Sequence, residues 1–423
     1  MSHWTRSIPI KPLLGAALLW FSLPLLAIDV SAATAHRPQR IYLSADFSVN
    51  AAAAVAIEQG IVTALAERNN QLGGRPVELL RLDHRGSTPR AKRHLLSYLD
   101  DPDALLLFSG MHSPPLLAHR EYINLNQILV LDPWAAAGPI TRYPAAENWI
   151  FRLSVDDTKA GHVIARYAVK RDQRQRPALL LEQTGWGHSN ERTMTAALNE
   201  YGITPAVVRW FNWGLSLEAA RILIRECRQQ GADALFLVAN TPEGKTIASA
   251  MVSLPPDERL PIYSHWGITG GDFAETIDAT MRQQLQLQFI QTRFSFLDES
   301  LSPLAQQVLA RAYQLFPDKI RTPLDINPPT GFIHAYDLTR ILLAAADQIP
   351  KDSSTLDRRD QLRRALEQLD QPIEGLIKRY HRPFSRFAPT NPDAHEALGM
   401  EDLVMARYGP RNEVRLLAAP LAP

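Results

Sequence analysis

The sequence predicts an α/β protein of two doubly wound, parallel-sheet lobes. Three observations carry that prediction. Short apolar runs ending in small polar turns alternate with helical patterns from Arg40 to Asp132, and the alternation begins again at Asp157. The chain is 423 residues long and 46% hydrophobic, enough for two lobes with proper cores. No low-complexity tract, short-period repeat or Pro/Gly linker interrupts it.

Taken in order, Arg6 and Lys11 precede an apolar run from Leu13 to Ile28, and Ala33-Thr34-Ala35 supplies a small-x-small cleavage signal. Residues 1–35 therefore read as a secretory signal peptide, cleaved near Ala35. No later segment is continuously apolar for the roughly 18 residues a membrane span needs. The single cysteine, Cys227, lies in a helical pattern and reads as a buried structural thiol. No cysteine stands near the cleavage site to carry a lipid, so a free periplasmic protein is expected. A net charge of +1 gives no support for a nucleic-acid surface.

In the first lobe, Ile41–Leu43 is a short strand, Asp46–Asn50 a turn and Ala51–Asn69 a helix stopped by Asn-Asn and Gly-Gly. Val77–Leu82 is the next strand, followed by a helix to Leu99. Ala104–Phe108 is a buried strand that ends in Ser109–Pro115, a small, Gly-containing turn running straight into helix Pro115–Asn124. Strand Gln127–Leu131 and the turn Asp132–Ala137 repeat the design. In open α/β sheets such carboxyl ends of strands are where small ligands sit.

The second series comprises helix Asp157–Lys170, strand Ala178–Leu181, helix Ser189–Tyr201, strand Ala206–Trp210, helix Leu217–Gln230, strand Ala234–Val238, a helix to Leu254 and strand Pro261–Ser264. Leu285–Phe296 is strand-like, and Pro303–Phe316, Gly331–Ile349 and Leu356–Leu369 are helical. Ile377–Phe387 and Asp402–Arg407 look extended, and Arg358–Arg364 reads as a solvated face.

Four stretches in this order resemble one family. Gln71–Asp83 has a double-glycine turn before a strand ending in acid, and Leu129–Thr141 resembles a ligand-binding segment. His334-Ala-Tyr-Asp337 resembles a Tyr-Asp helix, and Gly375–Lys378 with Pro383-Phe-Ser385 a late strand near a hinge. The chain is similar to the type I periplasmic solute-binding proteins, in the branch typified by the leucine/isoleucine/valine-binding proteins of amino-acid and amide ABC transporters. The resemblance implies a clamshell closing on a small molecule, with crossings at Phe151–Val155, Gln291–Ser295 and Glu374–Tyr380. Lobe 1 would be residues 36–153 plus 294–373, and lobe 2 residues 154–293 plus 374–423.

The resemblance also implies a site. Ser113, or its neighbour His112, falls where relatives place a carboxylate-holding hydroxyl, and Ala135 where they use the backbone. Ala136 replaces a usual hydroxyl. Trp186 matches an aromatic that covers the ligand, and Asn240 with Thr241 another ligand-facing aromatic position. Trp266 falls near the ammonium-binding acid, and no acid lies in 263–271 to replace it. Trp134, Trp186 and Trp266 would then line an aromatic, weakly charged cleft suited to an aromatic, apolar or amide-type solute, or to a cation held by aromatic faces. Glu182 and Asp132 read as pocket acids or as solvated turn acids.

His112, His188 and His265 come from separate turns without ligand spacing, so no metal is expected; no cofactor is expected either. Ser113 and Ser189 lack a nucleophile elbow, and Thr184–Gly187 is not a phosphate loop, so no enzymatic activity is expected. The expected partners are a small-molecule ligand and an inner-membrane ABC permease, with the protein itself monomeric. The alternative is a ligand-sensing or scaffolding protein of the same fold acting on a sensor or cell-wall partner.

Overall fold

The computed structural model describes residues 37–145 and 147–417. The leader expected at 1–35 lies outside them. The chain first builds β1 (Gln39–Ala45), α1 (Ala51–Leu65), β2 (Gln71–Leu72), β3 (Arg75–Asp83), α2 (Thr88–Asp100), β4 (Ala104–Ser109), α3 (Ser113–Leu125), β5 (Val130–Asp132) and β6 (Ile150–Arg152). These strands form one sheet in the order β2-β3-β1-β4-β5-β6, parallel except for the β2–β3 hairpin. Every residue of β4, β5 and β6 is buried, as expected of parallel strands covered on both faces.

A second series follows: α4 (Asp157–Arg166), β7 (Pro177–Glu182), α5 (Gly185–Asn199), β8 (Val208–Phe211), α6 (Leu217–Gln229), β9 (Ala234–Val238), α7 (Thr241–Ser253), β10 (Ile262–Ser264), α8 (Phe273–Thr276), α9 (Ala279–Gln283) and β11 (Leu287–Thr292). The chain then returns to the first sheet through α10 (Pro303–Leu315), α11 (Pro329–Ala346) and α12 (Thr355–Glu367), with α11 packed along α1 and α12 against β4. It leaves again by a short hairpin, β12 (Ile373–Glu374) and β13 (Arg379–Tyr380), and ends in β14 (Leu403–Tyr408) and β15 (Val414–Leu416). The second sheet runs β15-β14-β11-β10-β9-β7-β8, parallel from β11 to β8 and antiparallel at the other edge. The chain thus passes between the sheets three times, after β6, after β11 and after β13.

Local chemistry sets these boundaries. Ser87, Ser216 and Ser354 each accept an amide of the first helical turn, at 3.4, 3.2 and 3.1 Å. The strand expected at Gln127 starts only at Val130, because Gln127 takes a left-handed turn at φ 54°. The helix expected from Ser189 starts at Gly185, because the Thr184 hydroxyl accepts Gly187 N at 3.3 Å. Trp186 therefore lies in a helix's first turn.

Two expectations are corrected. Of Ile377–Phe387, only Arg379–Tyr380 pairs as strand. Asp337 of α11 captures the amides of Leu376 and Ile377 at 2.7 and 3.0 Å and the Tyr380 hydroxyl at 2.7 Å, and Arg382 turns at φ 48°. A Cβ on Gly375 would stand 2.4 Å from the Tyr380 ring, so glycine is required there. Arg358–Arg364 is not a solvated face: Arg358, Arg359 and Arg363 are buried. Arg358 donates to Gln39 Oε1 and to the carbonyls of Pro350 and Leu72, and Arg359 to those of Ala104 and Asp101. Long side chains here tie α12 to the first sheet's lower edge.

Candidate functional site

Both sheets have a switch point where the chain departs to opposite sides, β1 between β3 and β4 in one and β7 between β8 and β9 in the other. Crevices outside such strand ends are the ligand sites of open α/β sheets. Here the two sets of strand-end turns face and touch each other. Ala53 N donates to Gly270 O at 3.1 Å, and Gly138 N to Ser189 Oγ at 3.1 Å. A Cβ on Gly270 would stand 2.5 Å from Met111 Cε, and the Trp213 indole lies 3.7 Å from where one on Gly86 would be.

The β5 turn is held from behind. Asp132, fully buried, accepts Ser109 Oγ at 2.8 Å and the amides of Trp134 and Ala135 at 3.1 and 2.8 Å. Burial dominates over these bonds and over Arg152, and pushes its carboxyl up to about 7. Arg152 Nη1 donates to the carbonyls of Ala135 and Ala137 at 3.0 and 2.9 Å, while its other face pairs with Glu396. The Ser113 hydroxyl accepts Ala137 N at 3.2 Å, and Ala136 O takes Asp157 N at 2.9 Å. Ser113 thus joins the end of β4 to the β5 turn, and the Ala135 amide is taken by Asp132.

Three tryptophans were expected to line a ligand box. The structure brings Trp134 and Trp266 together, ring centroids 5.7 Å apart and each 1% exposed, with His334 of α11 at 5.1 Å from Trp266. Trp134 also abuts Gly331, where a Cβ would lie 2.9 Å from its ring. Trp186 donates its indole N–H to Asp157 Oδ1 at 3.2 Å and stands edge-on to His265 at 5.1 Å. These faces are packed against protein. Thr241, at the start of α7, donates to the carbonyls of Gly267 and Ile268 and so ties its turn to the one after β10.

The remaining expected residues, His112 and Asn240, meet groups that sequence reasoning left out. Asp46, at the end of β1, accepts Ser48 N, Val49 N and Asn50 Nδ2 at 3.1, 2.9 and 3.0 Å, and faces His112 Nε2 at 3.1 Å. Burial raises its pKa, but hydrogen bonds from His112, the Val49 amide and Asn50 outweigh it and hold the carboxyl well below the usual range. Across from them, Glu182 is 1% exposed and accepts Asn240 Nδ2 at 3.0 Å. Burial raises its pKa. Trp213, half-exposed, stands with its ring 6.2 Å from that of His112. Asn50 Oδ1, His112 Nδ1 and Glu182 Oε1 are buried and have no hydrogen-bond partner among the described residues.

His188 lies beside Trp210, ring centroids 4.4 Å apart and tilted by 43°. Among the described residues, no three His, Cys, Asp or Glu side chains come together as a metal site. No helix among them is long and apolar enough to cross a membrane.

The architecture has many relatives of known structure. A type 1 periplasmic binding protein from Bordetella pertussis Tohama I superposes with a TM-score of 0.75 at 16% identity, covering 90% of this chain and 100% of that one. A solute-binding protein of an ABC transporter from R. palustris, in complex with 4-hydroxybenzoate, gives 0.72 at 13% identity over 91% and 96%. A leucine-binding protein from Thermotoga maritima MSB8 gives 0.67 at 15% identity over 90% and 98%. No curated protein sequence matches the chain. The family model for periplasmic binding proteins matches residues 42–392, which is most of the chain. The chain belongs to the periplasmic binding protein family, whose members bind solutes rather than transform them.

Proposed function

We propose that this protein is the capture component of an ABC uptake system, closing in the periplasm around one small solute for delivery to an inner-membrane permease. The observation that carries the reading is the set of unpartnered buried polar atoms. Among those that the described residues leave without a partner are Asn50 Oδ1 and His112 Nδ1, in the turns after β1 and β4, and Glu182 Oε1, at the end of β7. Buried polar groups without partners are costly, and a solute that satisfies them supplies the free energy that favours the closed form. In this reading the site lies outward of the Trp134–Trp266 pair, and His112 and Asn240 are the expected residues that stay in it. The lobes would divide at the passages between the sheets, with residues 36–153 plus 294–373 forming one and the rest the other. The signal peptide would deliver the chain to the periplasm.

A thermal-shift screen of the mature protein against amino acids, amides, amines and aromatic acids tests this. At least one solute should raise the melting temperature, because it binds only the folded state, and His112→Ala should abolish that shift. A full screen without any shift would contradict capture.

A further inference from the structure

The chemistry of the three unpartnered atoms restricts the solute, an inference that rests on the capture reading above. Asn50 turns its Nδ2 to the Asp46 carboxylate at 3.0 Å, which fixes the amide and leaves Oδ1 as its free end. His112 Nε2 faces Asp46 Oδ2 at 3.1 Å, and its other ring nitrogen, Nδ1, has no partner among the described residues. Glu182 spends Oε2 on Asn240 and keeps Oε1 without one. Asn50 Oδ1 and the ionised Glu182 Oε1 can only accept. Asn50, His112 and Glu182 are 4%, 6% and 1% exposed, so water reaches them poorly.

The charge balance points the same way. Asp46, Glu182 and Glu243 are three buried carboxylates, just after β1, at the end of β7 and in the first turn of α7, and Glu243 accepts Gly214 N at 2.9 Å. An anion here would meet acceptors and negative charge. An ammonium offers three donors and a compensating charge. Trp213, its ring 6.2 Å from that of His112, supplies an aromatic wall for a cation or its apolar body.

We propose that the outer cleft takes a small organic cation, a primary ammonium or amidinium with at least two N–H donors, held by Glu182 and Asn50, beside His112 and under Trp213. Glu182 thereby does from the end of β7 what no acid in 263–271 does. Carboxylate solutes such as benzoate are excluded by the same acceptors.

The test uses the mature chain at neutral pH with benzylamine, benzamidine, benzyl alcohol, benzoate and leucine, followed by thermal shift and calorimetric titration. Both cations should raise the melting temperature, and benzylamine should bind at least tenfold more tightly than benzyl alcohol. Glu182→Gln should erase that preference. Asn50→Ala should reduce it several-fold, and decides the matter if Glu182→Gln does not fold. Failure of both cations to shift at millimolar concentration overturns the proposal. If benzoate or leucine then binds, solute capture stands and only the ligand class falls. Silence from these probes and from the wider solute screen removes both.

Discussion

The inner and outer ends of the cleft are made from the same strand-end turns, yet their side chains reach opposite outcomes. At the inner end Trp134, Trp266 and His334 pack on one another, and the His334 ring nitrogens reach Pro133 O and Thr292 Oγ1 at 3.1 Å each. At the outer end Asn50, His112 and Glu182 are as well shielded but keep unpartnered polar atoms. Unmet hydrogen bonds also occur at Asp132 Oδ2, Asp157 Oδ2 and His265 Nε2; on the proposed reading the tryptophan pair stabilises the fold and the outer acceptors are left for a solute.

The comparison can be broken most forcefully from its inner end. Trp266→Ala removes a fully buried indole, and denaturant unfolding should show a loss of about 3–5 kcal/mol. If stability were unchanged, the tryptophan pair would be lining rather than core. A satisfied buried acid provides the next contrast. Asp337→Asn places an amide N–H against the Ile377 amide and the Tyr380 hydroxyl, both donors to Oδ2 in the wild type. It should cost roughly 2–3 kcal/mol by the same measurement.

Asp132 gives the pH-dependent version. Its pKa rises from 3.8 to about 7, so the folded state holds a proton that the unfolded chain has lost. Its contribution to stability is full below about 3.8 and lost as pH rises through about 7. Between pH 5 and 8 the wild type should therefore lose on the order of 2 kcal/mol more than Asp132→Asn, read from unfolding curves at each pH. Equal slopes would place Asp132 in a better-solvated setting.

The outer end should show the smallest effects on stability. Trp213→Ala at a half-exposed position should change unfolding by no more than about 0.5 kcal/mol, yet weaken solute binding. Glu182→Gln should leave the unliganded protein as stable or slightly more stable at neutral pH, since it removes a buried carboxylate with an unspent oxygen. A large loss of stability from either change would make the outer end structural too.

The fold was legible in the sequence because its signal is local. Apolar runs such as Leu105–Phe108 and Ala234–Val238 end at small turns, and the strands observed there differ from the runs by a residue or less at each end. The site was legible only in part. His112 and Asn240 could be placed by their turns, but whether an indole faces a cleft or a neighbour depends on residues far off in the chain, such as Gly331 beside Trp134. Arg358 and Arg359 looked solvated for the same reason: their carbonyl partners at Leu72 and Ala104 lie over 250 positions away. Asp46 and Asn50 carried a usable signal, an acid four residues before an amide in a strand-end turn, which closes on itself through the Asn50 amides and Asp46 Oδ2.

The central claim is that solute sits at the outer acceptors while the inner tryptophans stay packed. A crystal structure of the protein with benzylamine, or with whatever solute the screen selects, tests it most directly. The account predicts ligand density within hydrogen-bonding distance of Glu182 and Asn50, beside His112, with Trp134 and Trp266 still in contact. Density between those two indoles, with Glu182 turned to solvent, would contradict it.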